Sequence, residues 1–143
     1  MNPSSTLAHV VGLSDTDVLD HLDQQADVPI LTGLQFQGDV AIVPYTGTHK
    51  KTRGAAQVPP QGVPVVRGEN GGNTHLLLAE GDVTWAPSAR TDATNLTLGI
   101  VEVGKKAIGW LLHPEHGANG LAPGRYELRR QREQAEELRM VAD

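Results

Sequence analysis

The sequence predicts an all-β protein: a single small β-sandwich or barrel of short antiparallel strands with one N-terminal helix. Glycine and proline are frequent, with 16 Gly and 9 Pro in 143 residues, which favours many short strands joined by turns over a helical bundle. Short apolar runs recur at the spacing typical of a sandwich or barrel, which gives roughly eight to ten strands. Aromatic residues make up only 3%, so we expect a core of aliphatic side chains.

The first 27 residues are predicted to form an acidic arm with a helix, distinct from a β-domain at residues 28–143. Residues 1–12 are small and weakly apolar, and we interpret them as the arm. A helix is expected from Ser14 to Ala26, because Ser14 can cap it and an acidic residue follows three positions later. Its narrow apolar stripe, which indicates a helix lying on a surface, consists of Val18, Leu19 and Leu22.

The remaining elements follow as short strands and turns. The strands are expected at residues 28–34, 40–43, 63–67, 74–79, 83–85, 96–103, 107–112 and 126–133. A turn at Gly38-Asp39 separates the first two strands, and the apolar residues that follow Gly99 predict a bulge or a register change. Residues 46–62 are predicted to form a long basic loop, whose charges either bind an anion or a partner or are simply solvated.

The last third of the chain carries its most distinctive pattern. A strand must stop at His113-Pro114, because proline removes a ladder donor, and residues 117–120 permit tight turning. A second turn is predicted at Pro123-Gly124. The final strand carries on one face Tyr126, Leu128, Arg130 and Arg132. Its two arginines are expected either at a solvated strand end or paired with a carboxylate such as Glu115.

The formal net charge of -5 is confined to the N-terminal segment. Five aspartates and no Lys or Arg lie in residues 1–27, whereas the rest of the chain holds 12 acidic and 12 basic residues. A neutral body argues against electrostatically driven binding of nucleic acid. Tyr126 is the single aromatic residue among the C-terminal arginines, which is too few for a base-stacking platform.

These charges predict a non-enzymatic β-domain that acts by self-association or by binding another protein. The acidic arm of one copy is expected to dock on basic groups of the next, giving a homo-oligomer that weakens with salt. The residues assigned to this contact are Asp15, Asp17, Asp20, Asp23, Lys50, Lys51, Arg53, Arg129, Arg130 and Arg132. The alternative interpretation of the same charges is a solvated helix face and a solvated loop.

A cupin-like metal-dependent enzyme or a metal-binding sensor is the alternative functional hypothesis. An H-x-x-H pair on a turn, here His113 and His116, can present two imidazoles to one divalent transition metal. The segment from Asn73 resembles the first cupin motif, in which two histidines separated by one residue precede a glutamate; Asn73 replaces the first histidine. The predicted ligands are His75, Glu80, His113 and His116. Histidines beside turns also commonly hydrogen-bond to the backbone, and in that case no cofactor is expected.

Four segments and the end of the chain resemble a group of small bacterial and phage-like proteins. The segments are Gln37-Gly38-Asp39-Val40, Leu78-Ala79-Glu80-Gly81, His113-Pro114-Glu115-His116-Gly117 and Gly124-Arg125-Tyr126 through Arg130-Gln131-Arg132-Glu133, followed by Val141-Ala142-Asp143. The shared ending is an H-x-E-H-G turn, a G-x-Y strand running into Q-R-E, and a final V-x-D. The resemblance covers about residues 37–143 and implies a compact β-domain without a particular activity. A structural component of a phage-like or other assembly is one instance of the predicted function.

Several other classes of function lack support. The chain has no Cys, which excludes thiolate zinc sites and cysteine nucleophiles. No glycine-rich phosphate loop opens a helix, and no G-x-S-x-G elbow surrounds a serine. Because no apolar run is long enough to span a membrane and no signal-peptide pattern is present, we expect a location in the cytoplasm or in an assembly.

Overall fold

The structure is a computed structural model that describes residues 3–14, 18, 22–45, 54–67, 74–88 and 96–130. Within these residues the chain forms two six-stranded sheets and one short helix. The predicted all-β class with one N-terminal helix is therefore confirmed, and the architecture is a sandwich or half-barrel. In the described part of the chain, no helix is long and apolar enough to cross a membrane.

The elements follow one another as short strands after a brief helical turn. In chain order they are β1 (Ser4–Thr6), α1 (Leu7–Val11), β2 (Asp27–Leu31), β3 (Gln35–Gln37), β4 (Val40–Pro44), β5 (Ala56–Gln57), β6 (Val63–Val66), β7 (His75–Glu80), β8 (Val83–Pro87), β9 (Thr97–Val103), β10 (Ile108–His113), β11 (Gly117–Leu121) and β12 (Gly124–Arg130). The first sheet has the order β1-β2-β11-β10-β7-β6, and the second has the order β3-β4-β12-β9-β8-β5. Described neighbours are antiparallel except for β2 and β11, which are parallel. No hairpin joins these two strands, so their relative direction is not fixed by a turn.

The main core lies between the two sheets. The first sheet contributes Leu77, Leu111 and Leu121 from its inner face, and the second contributes Ile42, Val101, Tyr126 and Leu128 among others. These residues alternate along their strands with outward-facing ones, as the period of a half-buried strand requires. The expected aliphatic core is present, although it also contains two of the few aromatic side chains, those of Trp85 and Tyr126.

A second apolar cluster lies on the outer face of the first sheet, under the N-terminal helix. Leu7 and Val10 of α1 pack there against Leu78, Trp110 and Leu112 of strands β7 and β10, together with Val18. The first sheet is therefore packed on both faces, which explains the nearly continuous apolar sequence of β10. The described part of the N-terminal segment folds against the β-sheet rather than reaching away from it.

The prediction of a helix from Ser14 to Ala26 is wrong for the residues of this range that the structure describes. Residues 22–26 form bends and turns, and Val18 lies outside any helix. The side chain of Asp23 accepts a hydrogen bond of 2.9 Å from the backbone N–H of Gln25, a local bond that competes with helix formation. The helix begins earlier, where Thr6 caps it by accepting a bond of 3.2 Å from the N–H of His9. The division at residues 27 and 28 stays a prediction.

The second half of the chain confirms one predicted irregularity and contains one strand that was not predicted. The predicted irregularity near Gly99 is confirmed, because the pairing of β9 with β12 shifts register between Leu128 and Arg129. Residues 117–120 were expected only to turn, but they begin strand β11, which is central in the first sheet. The final strand is described as far as Arg130, and residues 131–133 of the predicted strand lie outside the described residues.

Candidate functional site

Four polar side chains are buried among the described residues, and they lie together where two turns meet. They are Gln35, Gln37, His75 and His113. Burying a polar group in an apolar core is costly unless the group is hydrogen-bonded, so a buried polar cluster is more informative than any exposed charge. Strands β3, β7 and β10 each contribute to it, and the β3–β4 and β10–β11 turns close its outer side.

Gln37 is the centre of this cluster, with only 1% of its surface exposed. Its Nε2 group donates to the carbonyl oxygen of Leu111 at 2.6 Å, to that of Gly117 at 3.3 Å and to Oδ1 of Asn119 at 3.0 Å. Two of these partners are backbone carbonyls, which only accept, so the orientation of the Gln37 amide is fixed. Its Oε1 atom therefore accepts a bond of 2.9 Å from Nδ1 of His75.

A second glutamine connects the same strand to β11. Nε2 of Gln35 donates to the carbonyl oxygen of Gly120 at 2.8 Å, and its Oε1 accepts a bond of 3.1 Å from Nδ2 of Asn119. Asn119 also donates to the carbonyl oxygen of Phe36 at 3.2 Å. Strand β3 thus turns its glutamines towards the first sheet and its phenylalanine outward, although it belongs to the second sheet.

Three histidines form a stack beside Gln37, which we call the histidine stack: His75, His113 and His116. The ring centroids of His75 and His113 are 4.3 Å apart, and those of His113 and His116 are 4.5 Å apart. The first two rings are buried, whereas His116 is exposed. His116 lies against the β3–β4 turn, because a Cβ atom added at Gly38 would be 2.8 Å from Nε2 of His116.

The hydrogen bonds around His113 fix which nitrogen of the neutral ring carries the proton. Its Nδ1 atom accepts from the backbone N–H groups of Glu115 at 3.0 Å and of His116 at 3.3 Å. A nitrogen that accepts carries no proton, so a neutral His113 has its proton on Nε2. In this form neither nitrogen has a free lone pair with which to bind a metal.

His75 is held neutral by its surroundings. Burial, and after it the neighbouring rings of His113 and His116, together lower the pKa of His75 from 6.5 to about 4, against the opposing effect of Asp39. Nε2 of His75 lies 3.7 Å from Oδ1 of Asp39 in the β3–β4 turn. At neutral pH the His75 ring therefore carries its proton on Nδ1, facing Gln37, and an unprotonated Nε2 faces Asp39.

Comparison with known proteins adds a family assignment. The family described as Domain of unknown function (DUF8820) matches residues 36–131. The chain belongs to this family. The DUF8820 region includes Gln37, the histidine stack and Asn119, whereas α1, β1 and β2 precede it. No curated protein and no solved structure matches the chain.

The four predicted metal ligands are not all brought together by the DUF8820 fold. His75, His113 and His116 meet in the stack, but Glu80 lies on the opposite face of β7, because five positions along a strand reverse the side-chain direction. Its Oε1 atom accepts a bond of 2.8 Å from Nε1 of Trp110. Within the described ranges, no three His, Asp or Glu side chains are arranged to hold an ion. Metal binding stays a prediction.

Most of the charges predicted for the interaction surface lie outside the part of the chain that the structure describes. Asp15, Asp17, Asp20, Lys50, Lys51, Arg53 and Arg132 lie outside the described residues. Asp23 is exposed, and Arg130 is half-buried at the end of β12. Arg129 is exposed within the DUF8820 region, with its Nε atom 3.7 Å from Oε1 of Glu127 on the same strand. Docking of acidic on basic groups between copies stays a prediction.

The exposed large apolar side chains of the described residues were missed by the sequence analysis. Leu34 is 57% exposed, and Phe36, the first residue of the DUF8820 match, is 51% exposed. Both lie at β3, an edge strand of the second sheet, two positions apart and so on the same side. The signal that was available is the pair of glutamines at positions 35 and 37, which face the opposite side.

Proposed function

We propose that this chain is a non-enzymatic β-domain that acts by binding, either to a second copy of itself or to another protein, through the edge at β3. The observation that carries the proposal is the exposure of Leu34 and Phe36 side by side. Single exposed hydrophobic residues are ordinary, but adjacent large ones at a sheet edge are typical of interaction sites. Phe36 is also the one phenylalanine of the chain, and aromatic side chains are enriched at interfaces.

The outward direction of Phe36 is set by the polar cluster. Gln35 and Gln37 occupy the inward positions of β3 and bond to β10 and β11 through Leu111, Asn119 and Gly120. A one-residue slip of β3 would exchange the two faces and leave these bonds unmade. Phe36 is therefore presented to solvent by a strand that is held in place, which lowers the ordering cost of binding.

The chemistry of the buried histidines supports a binding domain over an enzyme. A general base works best with a pKa near the operating pH, and the pKa of His75 is lowered to about 4. His113 uses its accepting nitrogen to hold the backbone of its own turn. Both rings thus serve the architecture around β3. A structural component of a phage-like or other assembly is one form that the proposed function takes, in line with the resemblance of the sequence.

Sedimentation velocity over a wide concentration range tests whether the chain associates with itself. We expect the wild-type chain to form a reversible oligomer and the Leu34→Ser/Phe36→Ser double variant to sediment as a monomer. The matched control is Lys105→Ser/Lys106→Ser, a pair of exposed residues at the β9–β10 turn, which should sediment like the wild type. Circular dichroism of all three proteins checks that the fold is retained.

Two results would speak against self-association through β3. In one, the wild type and the double variant sediment identically as monomers at every concentration. In the other, the oligomer persists in the Leu34→Ser/Phe36→Ser variant and is lost when salt is raised, which would favour the charged contact predicted from the sequence instead.

A further inference from the structure

The histidine stack joins two turns that are far apart in sequence. His113 and His116 belong to the β10–β11 turn, His116 lies over Gly38 of the β3–β4 turn, and His75 binds Gln37 at the end of β3. The stack is thus one of the places where strand β3 of the second sheet is fastened to the first sheet. This arrangement depends on an unprotonated Nδ1 of His113, which accepts the backbone N–H groups of its own turn.

Protonation would break specific bonds in this arrangement. A proton on Nδ1 of His113 removes the acceptor of the N–H groups of Glu115 and His116, which hold the β10–β11 turn. A second proton in the stack would place two positive rings at centroid distances of 4.3 to 4.5 Å. Like charges at this distance repel, and burial of the His75 and His113 rings reduces the screening by water.

The charged groups that face His75 come from each neighbouring element. His113 and His116 approach from β10 and its turn, and Asp39 approaches from the β3–β4 turn. Strand β6 contributes the apolar Val66 opposite His75. Among these, Asp39 alone favours the charged ring, and it is itself partly exposed, so it offsets only part of the repulsion.

We propose that the histidine stack is an acid-operated latch: its neutral rings hold the β10–β11 turn and the β3–β4 hairpin together, and protonation separates the two turns. The inference does not depend on β3 being a binding surface. Because Gln37 follows Phe36 directly, however, opening of the latch also removes one of the contacts that hold the strand carrying the exposed phenylalanine.

The expected size of the response follows from proton linkage. The pKa of His75 is lowered to about 4 in the closed latch and returns to 6.5 when the ring reaches water. The open form therefore binds more protons between these values, so lowering the pH favours opening. Between pH 8 and pH 5 the population of the open form should rise on the order of 30-fold.

Amide hydrogen exchange read by NMR, corrected for the intrinsic effect of pH, measures this opening. In the wild type we expect the open population at the amides of Gln37, Glu115 and His116 to rise on the order of 30-fold from pH 8 to pH 5. The amides of Val101 and Leu128, in the core of the second sheet, should stay protected. An equal rise at all five positions would show global unfolding and overturn the latch.

Two variants separate the latch from other acid effects. His75→Asn keeps an N–H near the position of Nδ1 for Gln37, and His113→Asn keeps an oxygen acceptor for the turn, but neither amide titrates. The double variant should lose the local response to pH. His9→Gln, which removes a histidine outside the stack, should respond like the wild type.

The tautomers of the rings provide a second test, which needs only the wild-type protein. In the wild type at pH 8, nitrogen NMR of the imidazoles should show the proton on Nε2 of His113 and on Nδ1 of His75. The opposite tautomer at His113, or a local opening that His75→Asn/His113→Asn retains in full, would overturn the proposal.

Discussion

The indole N–H of Trp110 donates a hydrogen bond of 2.8 Å to Oε1 of Glu80. The same oxygen lies 2.6 Å from Nε2 of His9 on α1. One carboxylate atom therefore joins the N-terminal helix to strands β7 and β10 at the margin of the outer apolar cluster. Trp110 is fully buried, so its N–H has no access to water as an alternative partner.

Replacement of Glu80 tests how much its contacts with Trp110 and His9 contribute to stability. Glu80→Ala leaves the Trp110 N–H without its acceptor, and we expect a loss of about 1–3 kcal/mol in the free energy of unfolding. Glu80→Gln keeps an oxygen in place and should lose less. The measurement is urea denaturation followed by Trp fluorescence.

The control for this experiment is another glutamate with a similar short contact. Glu102 lies 2.8 Å from Arg125 on the surface, and exposed ion pairs contribute only about 0–1 kcal/mol. If Glu102→Ala destabilises the protein as much as Glu80→Ala does, the bond from Trp110 to Glu80 contributes no more to the free energy of unfolding than a surface ion pair.

Gln37 should be among the most sensitive polar positions in the chain. Gln37→Ala removes the side-chain partner of the Leu111 carbonyl, of Oδ1 of Asn119 and of Nδ1 of His75. Each unsatisfied buried group costs about 1–3 kcal/mol, so we expect a large drop in the urea midpoint. Gln61→Ala, at an exposed turn, should change the midpoint little. Similar midpoints for the two variants would contradict the central role of Gln37.

The sequence predicted the fold class well because the main core follows a local pattern. Tyr126 and Leu128 alternate with polar residues on β12, and the apolar run of β10 marks a strand buried on both faces. The position of α1 was missed because a short helix of five residues depends on packing under Val10 more than on its own propensity. The capping serine and apolar stripe of residues 14–26 predicted a helix, but the described residues of this range lie outside any helix.

The candidate site was only partly predictable. The pairing of His113 with His116 follows from their spacing on one turn, whereas the sequence offered His75 only as a third ligand in the metal hypothesis, which stays a prediction. Gln37 gave no such signal, since its partners Leu111 and Asn119 are more than 70 positions away in sequence. Likewise, the outward direction of Phe36 is decided by its neighbours in space, whereas hydrophobicity alone would place it inside.

Strand β11 was predicted as a turn because it is rich in glycine, but at Gly120 the glycine is needed for close packing within the sheet. A Cβ atom at Gly120 would lie 2.7 Å from the carbonyl oxygen of Pro29 and 2.9 Å from Cζ3 of Trp110. Gly120→Ala should therefore destabilise the fold by about 1–3 kcal/mol through overpacking. Gly33→Ala meets no atom within 4 Å and should be nearly neutral in the same thermal unfolding experiment. Equal melting temperatures for both variants would mean that β11 tolerates a side chain at Gly120.

Zinc titration tests the metal hypothesis on the histidine stack. Because Nδ1 of His113 already accepts two backbone hydrogen bonds, we expect isothermal titration calorimetry at pH 7.5 to show no stoichiometric Zn²⁺ site formed by the stack. The measurement compares the wild type with His75→Asn/His113→Asn. A one-to-one site that this double variant removes would contradict the expectation and restore His75 and His113 as ligands.

Tyr126 should make the stability of the protein fall at alkaline pH. Its hydroxyl donates to the carbonyl oxygen of Ala122 at 2.6 Å, and burial raises the pKa of Tyr126 above its usual value of 10.0. Above about pH 10 the unfolded chain releases this proton while the folded chain retains it, so stability is lost as the pH rises through the folded pKa. Urea midpoints between pH 8 and pH 11 measure this loss.

The second tyrosine of the chain provides the control for that slope. Tyr126→Phe removes the titrating group, so its stability should depend less steeply on pH above about 10 than that of the wild type, although it is lower at pH 8 by the lost hydrogen bond, about 1 kcal/mol. Tyr45→Phe leaves Tyr126 in place and should keep the wild-type slope. If instead Tyr45→Phe flattens the slope and Tyr126→Phe does not, the alkaline sensitivity arises outside the sandwich core, and the bond from Tyr126 to Ala122 does not govern it.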